Sequence, residues 1–237
     1  MLTPAWPSLY WQMYDWYLVP PAGYWSVKKA CETQQLVYNY VDKHIYAVND
    51  EAECFDLTAH AEIYNLSGEL TTKAQCDAHM HAGTSTKLFE IPQCEEVSFM
   101  FLTLKDSKGN EVATNTYCLS PVDDIHDWDN YNWIRIRLKQ HADYKALNDL
   151  KSAGIEAHVE RDGDTVKVTL TNNSEVVAFF VRMALKDAAG ELVTPAFWSD
   201  NFISLRPDET RTYTCKAEGG SNVEISGWNV EKSTLTL

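Results

Sequence analysis

From Gln35 to Leu237 the chain is written in short runs whose apolar residues tend to recur at every second position, each run closed by turn-forming residues. A period of two sends successive side chains to opposite faces of an extended strand. Runs repeated roughly every 8–12 residues are the pattern of a β-sandwich. In the first half the runs are 36–40, 44–48, 55–64, 70–78, 85–91, 97–105 and 112–119. Asn49-Asp50, Asn65-Leu66-Ser67-Gly68, Pro92 and Asp106-Ser107-Lys108-Gly109-Asn110 separate them with residues suited to chain reversal. The run 57–64 alternates cleanly, whereas 97–104 is apolar almost throughout and predicts a central strand covered on both sides.

Between Ser120 and Asp149 this pattern breaks. Pro121-Val122-Asp123-Asp124-Ile125-His126-Asp127-Trp128-Asp129 is acidic and lacks strand periodicity, and residues 142–150 suit a helical turn or two. A second set of runs follows at 155–160, 165–172, 176–186, 192–198, 201–205, 210–216 and 222–230. The halves echo each other: Leu104-Lys105-Asp106-Ser107-Lys108-Gly109-Asn110-Glu111-Val112 has the plan of Leu185-Lys186-Asp187-Ala188-Ala189-Gly190-Glu191-Leu192-Val193. The simplest architecture is mainly β: two tandem immunoglobulin-like sandwiches, 35–120 and 151–237, joined by a linker over 121–150 that holds a short helix.

Residues 1–34 do not belong with this. They crowd Trp6, Trp11, Trp16 and Trp25 among tyrosines, pass through Pro20-Pro21-Ala22-Gly23, and then read as a short helix over 24–32. An aromatic, partly helical stub ahead of an all-β tract is expected of the tail of a larger protein. Trp11, Trp16 and Trp25 are expected to pack a helix against a core. Trp6, beside Pro7, is the one packing explains least, and an indole suits the apolar face of a sugar ring. Separated from a parent, the stub would expose aromatic faces, so it is expected to pack on the first sandwich or on a neighbouring molecule.

Composition narrows the function. With 34 acidic against 20 basic residues the chain carries a net charge of −14, which repels a phosphate backbone and argues against nucleic acid as a partner. No apolar run approaches the roughly 18 residues of a membrane span, and Met1-Leu2-Thr3-Pro4 opens no signal-peptide pattern. Cys31, Cys54, Cys76, Cys94, Cys118 and Cys215 lie far apart without a CxxC pair, which excludes zinc-ribbon spacing. They read as free thiols in strands, with disulfides inside the first sandwich as the alternative.

Candidate chemistry is sparse. Glycosidic hydrolysis takes two carboxylates facing one another about 5–10 Å apart in a cleft. Glu95-Glu96 and Asp123-Asp124 are adjacent pairs, and neighbours on an extended chain point to opposite faces. They read as solvated charge, and no catalytic residue is assigned. Neither a Gly-x-Ser-x-Gly elbow nor a phosphate-cradling glycine loop is present. His79-Met80-His81 puts two imidazoles on one side of a strand, with Cys76 nearby. Nothing local supplies a further ligand in register, so the pair reads as surface histidines, and neither metal nor cofactor is expected. Asp123, Asp124, Asp127, Asp129 and Asn130 lack the glycine and terminal glutamate of a calcium loop and read as a solvated linker. Trp198, ahead of Ser199-Asp200, reads as a core tryptophan at a strand end.

Three stretches of the stub carry a resemblance: Ala5-Trp6-Pro7-Ser8, Trp11-Gln12-Met13-Tyr14-Asp15-Trp16-Tyr17 and Gly23-Tyr24-Trp25-Ser26-Val27-Lys28-Lys29-Ala30-Cys31-Glu32. They resemble the end of the catalytic barrel in glycoside hydrolase family 2, in its exo-β-D-glucosaminidase and β-mannosidase branch. Phe197-Trp198-Ser199-Asp200-Asn201-Phe202-Ile203-Ser204-Leu205-Arg206-Pro207-Asp208-Glu209 is similar to that branch's final sandwich. Leu119-Ser120-Pro121 and Asp143-Tyr144-Lys145-Ala146-Leu147-Asn148 resemble its connecting stretch.

The resemblance implies a parent enzyme of five domains, of which this chain holds the last barrel loop and helix (1–34) and two sandwiches. The two catalytic glutamates would sit on barrel strands absent here. Trp6 matches a tryptophan at the mouth of the barrel and is the one substrate-binding candidate. The sequence departs from the family at Thr3-Pro4, where a pair of asparagines is frequent. Implied partners are the missing barrel and, through it, a carbohydrate; the implied location is extracytoplasmic. A rival reading is a stand-alone carbohydrate-binding module stacking sugars on Trp6, Trp25 or Trp198; a surface adhesion pair is a third.

Overall fold

The computed structural model describes residues 13–132 and 136–237. The described residues divide into two compact units: Glu32–Leu150 forms one, and the stretch ending at Cys31 joins Lys151–Leu237 in the other.

In the Glu32–Leu150 unit, β1 (Gln34–Asn39), β2 (His44–Asn49), β3 (Phe55–Asn65), β4 (Leu70–Met80), β5 (Thr84–Glu90), β6 (Ser98–Lys105) and β7 (Glu111–Leu119) fall where the alternation places strands. Among the described residues they form a three-stranded sheet, β1-β2-β5, and a four-stranded sheet, β4-β3-β6-β7, with all ladders antiparallel. The inward positions of both, from Leu36 and Ile45 to Ala59, Ile63, Met100, Leu102 and Leu104, make one core. Strand β6 is buried from Ser98 to Leu104, as its unbroken apolar run predicts. Beyond β7 come β8 (Ile125–His126) and β9 (Leu138–Gln140), a short hairpin the sequence reading did not foresee. A 3₁₀ turn over Lys145–Asp149 stands where a helical turn was expected.

The other unit contains α1 (Ala22–Ala30), β10 (Ile155–Asp162), β11 (Thr165–Asn172), β12 (Ala178–Lys186), β13 (Phe197–Trp198), β14 (Ile203–Leu205), β15 (Thr210–Lys216), β16 (Asn222–Ser226) and β17 (Ser233–Thr236). Their two sheets run β10-β11-β15-β13 and β14-β12-β16-β17 and enclose a core that includes Val166, Val168, Leu170, Leu185, Leu205 and Ile225. The run 192–198 shortens to β13 because Pro195 has no N–H for a ladder; only Leu192 bridges, to Lys186. The run 222–230 ends at Ser226. Trp228 there donates its N–H to Phe179 O at 2.9 Å, and the chain reverses into β17, which the sequence reading missed.

The repeated turn is confirmed bond for bond. Asp106 Oδ1 accepts from Lys108 N and Asn110 N at 2.9 and 2.8 Å, and Asp187 Oδ1 accepts from Ala189 N and Glu191 N, both at 2.9 Å. Gly109 and Gly190 each take φ +85°, a backbone setting glycine adopts without a Cβ clash.

Placement of the stub corrects the sequence expectation. Helix α1 packs within the unit of the second sandwich, where the sequence reading names the first. Trp25 enters the core beside Val166, Leu185 and Trp198. Lys28 Nζ donates to Ser199 O, and Lys29 pairs with Asp200 Oδ2 at 2.9 Å. The apolar stripe and the terminal lysines therefore share one docking surface, which decides where the helix goes. Both lysines also lie in the last turn, where cations complement the helix dipole.

Candidate functional site

The candidate carboxylates of the 121–150 stretch are committed to cations or backbone amides. Asp123 takes Lys43 Nζ at 2.6 Å, and Asp124 Oδ1 accepts from Ala142 N at 2.7 Å. Asp127 and Asp129 share Lys139, so the acidic stretch is organised by the chain's own lysines. Glu95 and Glu96 are exposed, ahead of β6. Where a described carboxyl group moves from its ordinary range, it moves down. Burial works to raise Glu209, and the guanidinium groups of Arg206 and Arg211 outweigh it; burial likewise loses to Lys186 and Lys232 at Glu224. A general acid needs the opposite displacement.

Trp6 and Trp11 lie outside the described residues. Trp16 corrects expectation: it is half exposed, in a turn ahead of the helix. Asp15 Oδ1 holds that turn by accepting from Tyr17 N and Val19 N at 2.8 and 2.9 Å, and Pro20-Pro21 delays the helix to Ala22. Tyr17 and Leu18 are likewise exposed beside it. A cavity of about 110 Å³ opens where this segment meets the sandwich, lined by Tyr24, Trp25, Arg182, Phe197 and Trp198 among others. Trp25 Nε1 is buried there with no hydrogen-bond partner among the described residues. Trp25 and Trp198 are only 5% and 8% exposed, so neither indole face is open as a stacking platform. That removes two of the three tryptophans on which the binding-module reading rested. It also confirms Trp198 as a core residue.

All six cysteines are free. Cys76 does not join His79 and His81. Alternation along β4 turns Cys76, Ala78 and Met80 inward and His79 outward, and His81, just past the strand, is exposed as well. The residue that joins them is Cys54, just ahead of β3; its Sγ and one ring nitrogen of each histidine lie within 4.8 Å of one another. The sequence reading missed it because the ladder that unites them brings together residues far apart in the chain.

Fold and site thus define a tandem immunoglobulin-like pair with a tryptophan-bearing helix docked on the second sandwich. Residues 133–230 match the family described as "Exo-beta-D-glucosaminidase Ig-fold domain", and residues 42–122 match "Mannosidase Ig/CBM-like domain". The chain carries the immunoglobulin-fold domains of the exo-β-D-glucosaminidase and mannosidase families.

An exo-β-D-glucosaminidase from Arthroderma benhamiae is 33% identical over 99% of this chain and 28% of its own length. One from Amycolatopsis orientalis is 32% identical over 99% of this chain and 25% of its own. The crystal structure of the Amycolatopsis orientalis exo-chitosanase CsxA superposes on the whole chain with a TM-score of 0.91 at 30% identity, using 30% of the CsxA chain. A β-D-mannosidase from Dictyoglomus thermophilum shares the fold, with a TM-score of 0.69 over 97% of this chain. The chain spans between a quarter and a third of the length of the relatives it matches.

Proposed function

We propose that the chain is the non-catalytic C-terminal region of a family 2 exo-glycosidase that releases terminal β-linked glucosamine, and that it braces the enzyme's catalytic barrel. The observation that carries this reading is the extent of the match. Virtually the whole chain, stub included, aligns with one continuous share of exo-β-D-glucosaminidases, at 28% of the relative's length. Chemistry in the parent would be retaining hydrolysis through a glycosyl-enzyme intermediate, carried by two glutamates on barrel strands outside this chain.

Residues 1–34 would be the barrel's last loop and helix, 35–120 and 151–237 the sandwiches, and 121–150 their linker. Helix α1 then couples barrel to sandwich: Trp25, Lys28 and Lys29 are spent on the sandwich, while Trp16, Tyr17 and Leu18 stay exposed for the barrel. Trp6 would stand at the barrel mouth against the sugar. On the resemblance to that branch, the parent enzyme would act outside the cytoplasm.

Calorimetric titration of the chain with chito- and manno-oligosaccharides tests this against a stand-alone binding module. A brace gives no heat of binding. Saturable heat lost on Trp6→Ala would move the function to sugar capture by the chain itself.

A further inference from the structure

We infer that Cys54, His79 and His81 form a binding site for a zinc-class divalent cation, with Asp56 orienting one of its imidazoles. Strands β3 and β4 pair antiparallel with Phe55 opposite Met80 and Asp56 opposite His79. Cys54 and His81 flank the end of this ladder, each one residue beyond the Phe55–Met80 pair. Met80 is buried in the core, whereas Cys54, Asp56, His79 and His81 are all exposed. The Asp56–His79 pair therefore sits on an exposed face beside Cys54 and His81, at a spacing where opposed side chains touch.

The donor atoms are already gathered. Cys54 Sγ and a ring nitrogen of each histidine lie within 4.8 Å of one another, and the imidazoles meet edge to face with centroids 4.5 Å apart. Zinc bonds of about 2.3 Å to sulfur and about 2.0–2.1 Å to nitrogen place tetrahedral donors roughly 3.5 Å apart. Rotation of three exposed side chains closes that difference. Asp56 Oδ1 lies 2.5 Å from His79 Nδ1. Donation of that N–H to the carboxylate leaves the Nε2 lone pair for a metal, the carboxylate–histidine arrangement that fixes a ligand's tautomer and strengthens it.

The backbone beneath is held in place. Asn49, fully buried, donates through Nδ2 to Glu53 O at 2.8 Å and His81 O at 3.1 Å, the carbonyls beside and at the two outer ligands. Thr84 Oγ1 also donates to His81 O at 2.9 Å. One thiolate and two imidazoles suit a borderline-soft cation and not Ca²⁺ or Mg²⁺, which take oxygen ligands. Three protein ligands leave the fourth position open to water.

The test is a Co²⁺ titration of the full, reduced, chelator-stripped chain. A thiolate-to-cobalt charge-transfer band should rise to one equivalent and vanish when one equivalent of Zn²⁺ is added. Cys54→Ser should abolish the band, and His79→Gln and His81→Gln should each weaken zinc binding at least tenfold. Asp56→Asn should weaken it by about 10–100-fold, the usual loss on removing a ligand's carboxylate partner. Cys76→Ser, on the core side, should change nothing. Zinc should also slow alkylation of Cys54 while leaving the exposed Cys31 reactive. The four site side chains are exposed, so circular dichroism should show an unchanged fold in their variants. No charge-transfer band at millimolar Co²⁺, a full band in Cys54→Ser, or equal zinc affinity across the site variants would each overturn the assignment.

Discussion

Asn49 in the first sandwich and Asn172 in the second make the same set of hydrogen bonds. Each Oδ1 accepts from the N–H two residues on, Glu51 at 3.0 Å and Ser174 at 3.1 Å. Each Nδ2 donates to the carbonyl four residues on, Glu53 or Val176, both at 2.8 Å. Each also reaches two consecutive carbonyls of a distant segment: Met80 and His81 at 3.4 and 3.1 Å, Leu205 and Arg206 at 3.1 and 3.0 Å. Both side chains are fully buried.

Replacing either asparagine by alanine strands several buried backbone groups at once. An unsatisfied buried group costs about 1–3 kcal/mol, so each variant should lose roughly 3 kcal/mol in urea unfolding. Aspartate should not rescue, because a carboxylate presents acceptors to carbonyls that need a donor. A loss under 0.5 kcal/mol would show that these bonds do not hold the strand ends.

Trp25 is the anchor of α1, and Trp25→Ala should cost about 3–5 kcal/mol, the usual range for a buried aromatic. Amide exchange should then accelerate through Ala22–Ala30 and at Ser199 and Asp200, with no change in β1–β7. Uniform acceleration across both units would contradict a docking role confined to the second sandwich.

Glu209 sets part of the acid limit. Burial alone would raise its pKa, but bonds from Arg206 at 2.8 Å and Arg211 at 2.7 Å hold it below the ordinary glutamate value. A depressed folded-state pKa gives stability that is complete above the unfolded value, about 4.3, and is lost as pH falls through and below it. Glu209→Gln should cost roughly 2 kcal/mol at neutral pH, with the deficit shrinking toward pH 3. A deficit that stays constant with pH would show that packing, not charge, is lost.

Burial pushes the thiols of Cys118 and Cys215 up to about 12, which removes the reactive thiolate at neutral pH. In the folded chain Cys31 and Cys54 should alkylate quickly, and Cys118 and Cys215 only on unfolding, as mass spectrometry after a timed iodoacetamide pulse would show. Rapid labelling of Cys215 in native buffer would contradict its place in the core.

Much of the fold is legible in the chain because alternation and turn chemistry act locally. The edges of β1–β7 fall within a few residues of the apolar runs, and the Asp106 and Asp187 turns show as a repeat before their bonds are seen. What is hidden depends on contacts between distant residues. Asn49-Asp50 reads as a turn, and nothing nearby shows that Asn49 reaches Met80. His79 and His81 advertise a pair, and their partner Cys54 is chosen by the β3–β4 register. The helix reads correctly, but its docking depends on Ser199 and Asp200, far along the sequence. Strand β17 escapes because Ser233-Thr234-Leu235-Thr236 carries a single apolar residue.

Whether this chain braces a catalytic barrel outside it is decided by one rate. Hydrolysis of an aryl β-D-glucosaminide would be measured for the Amycolatopsis orientalis enzyme with its matching segment deleted, and with that segment replaced by this chain. The deletion should lose activity, the hybrid should regain it, and the chain alone should release no aryl alcohol. Full activity in the deletion, or turnover by the isolated chain, would show that the chain is not a brace.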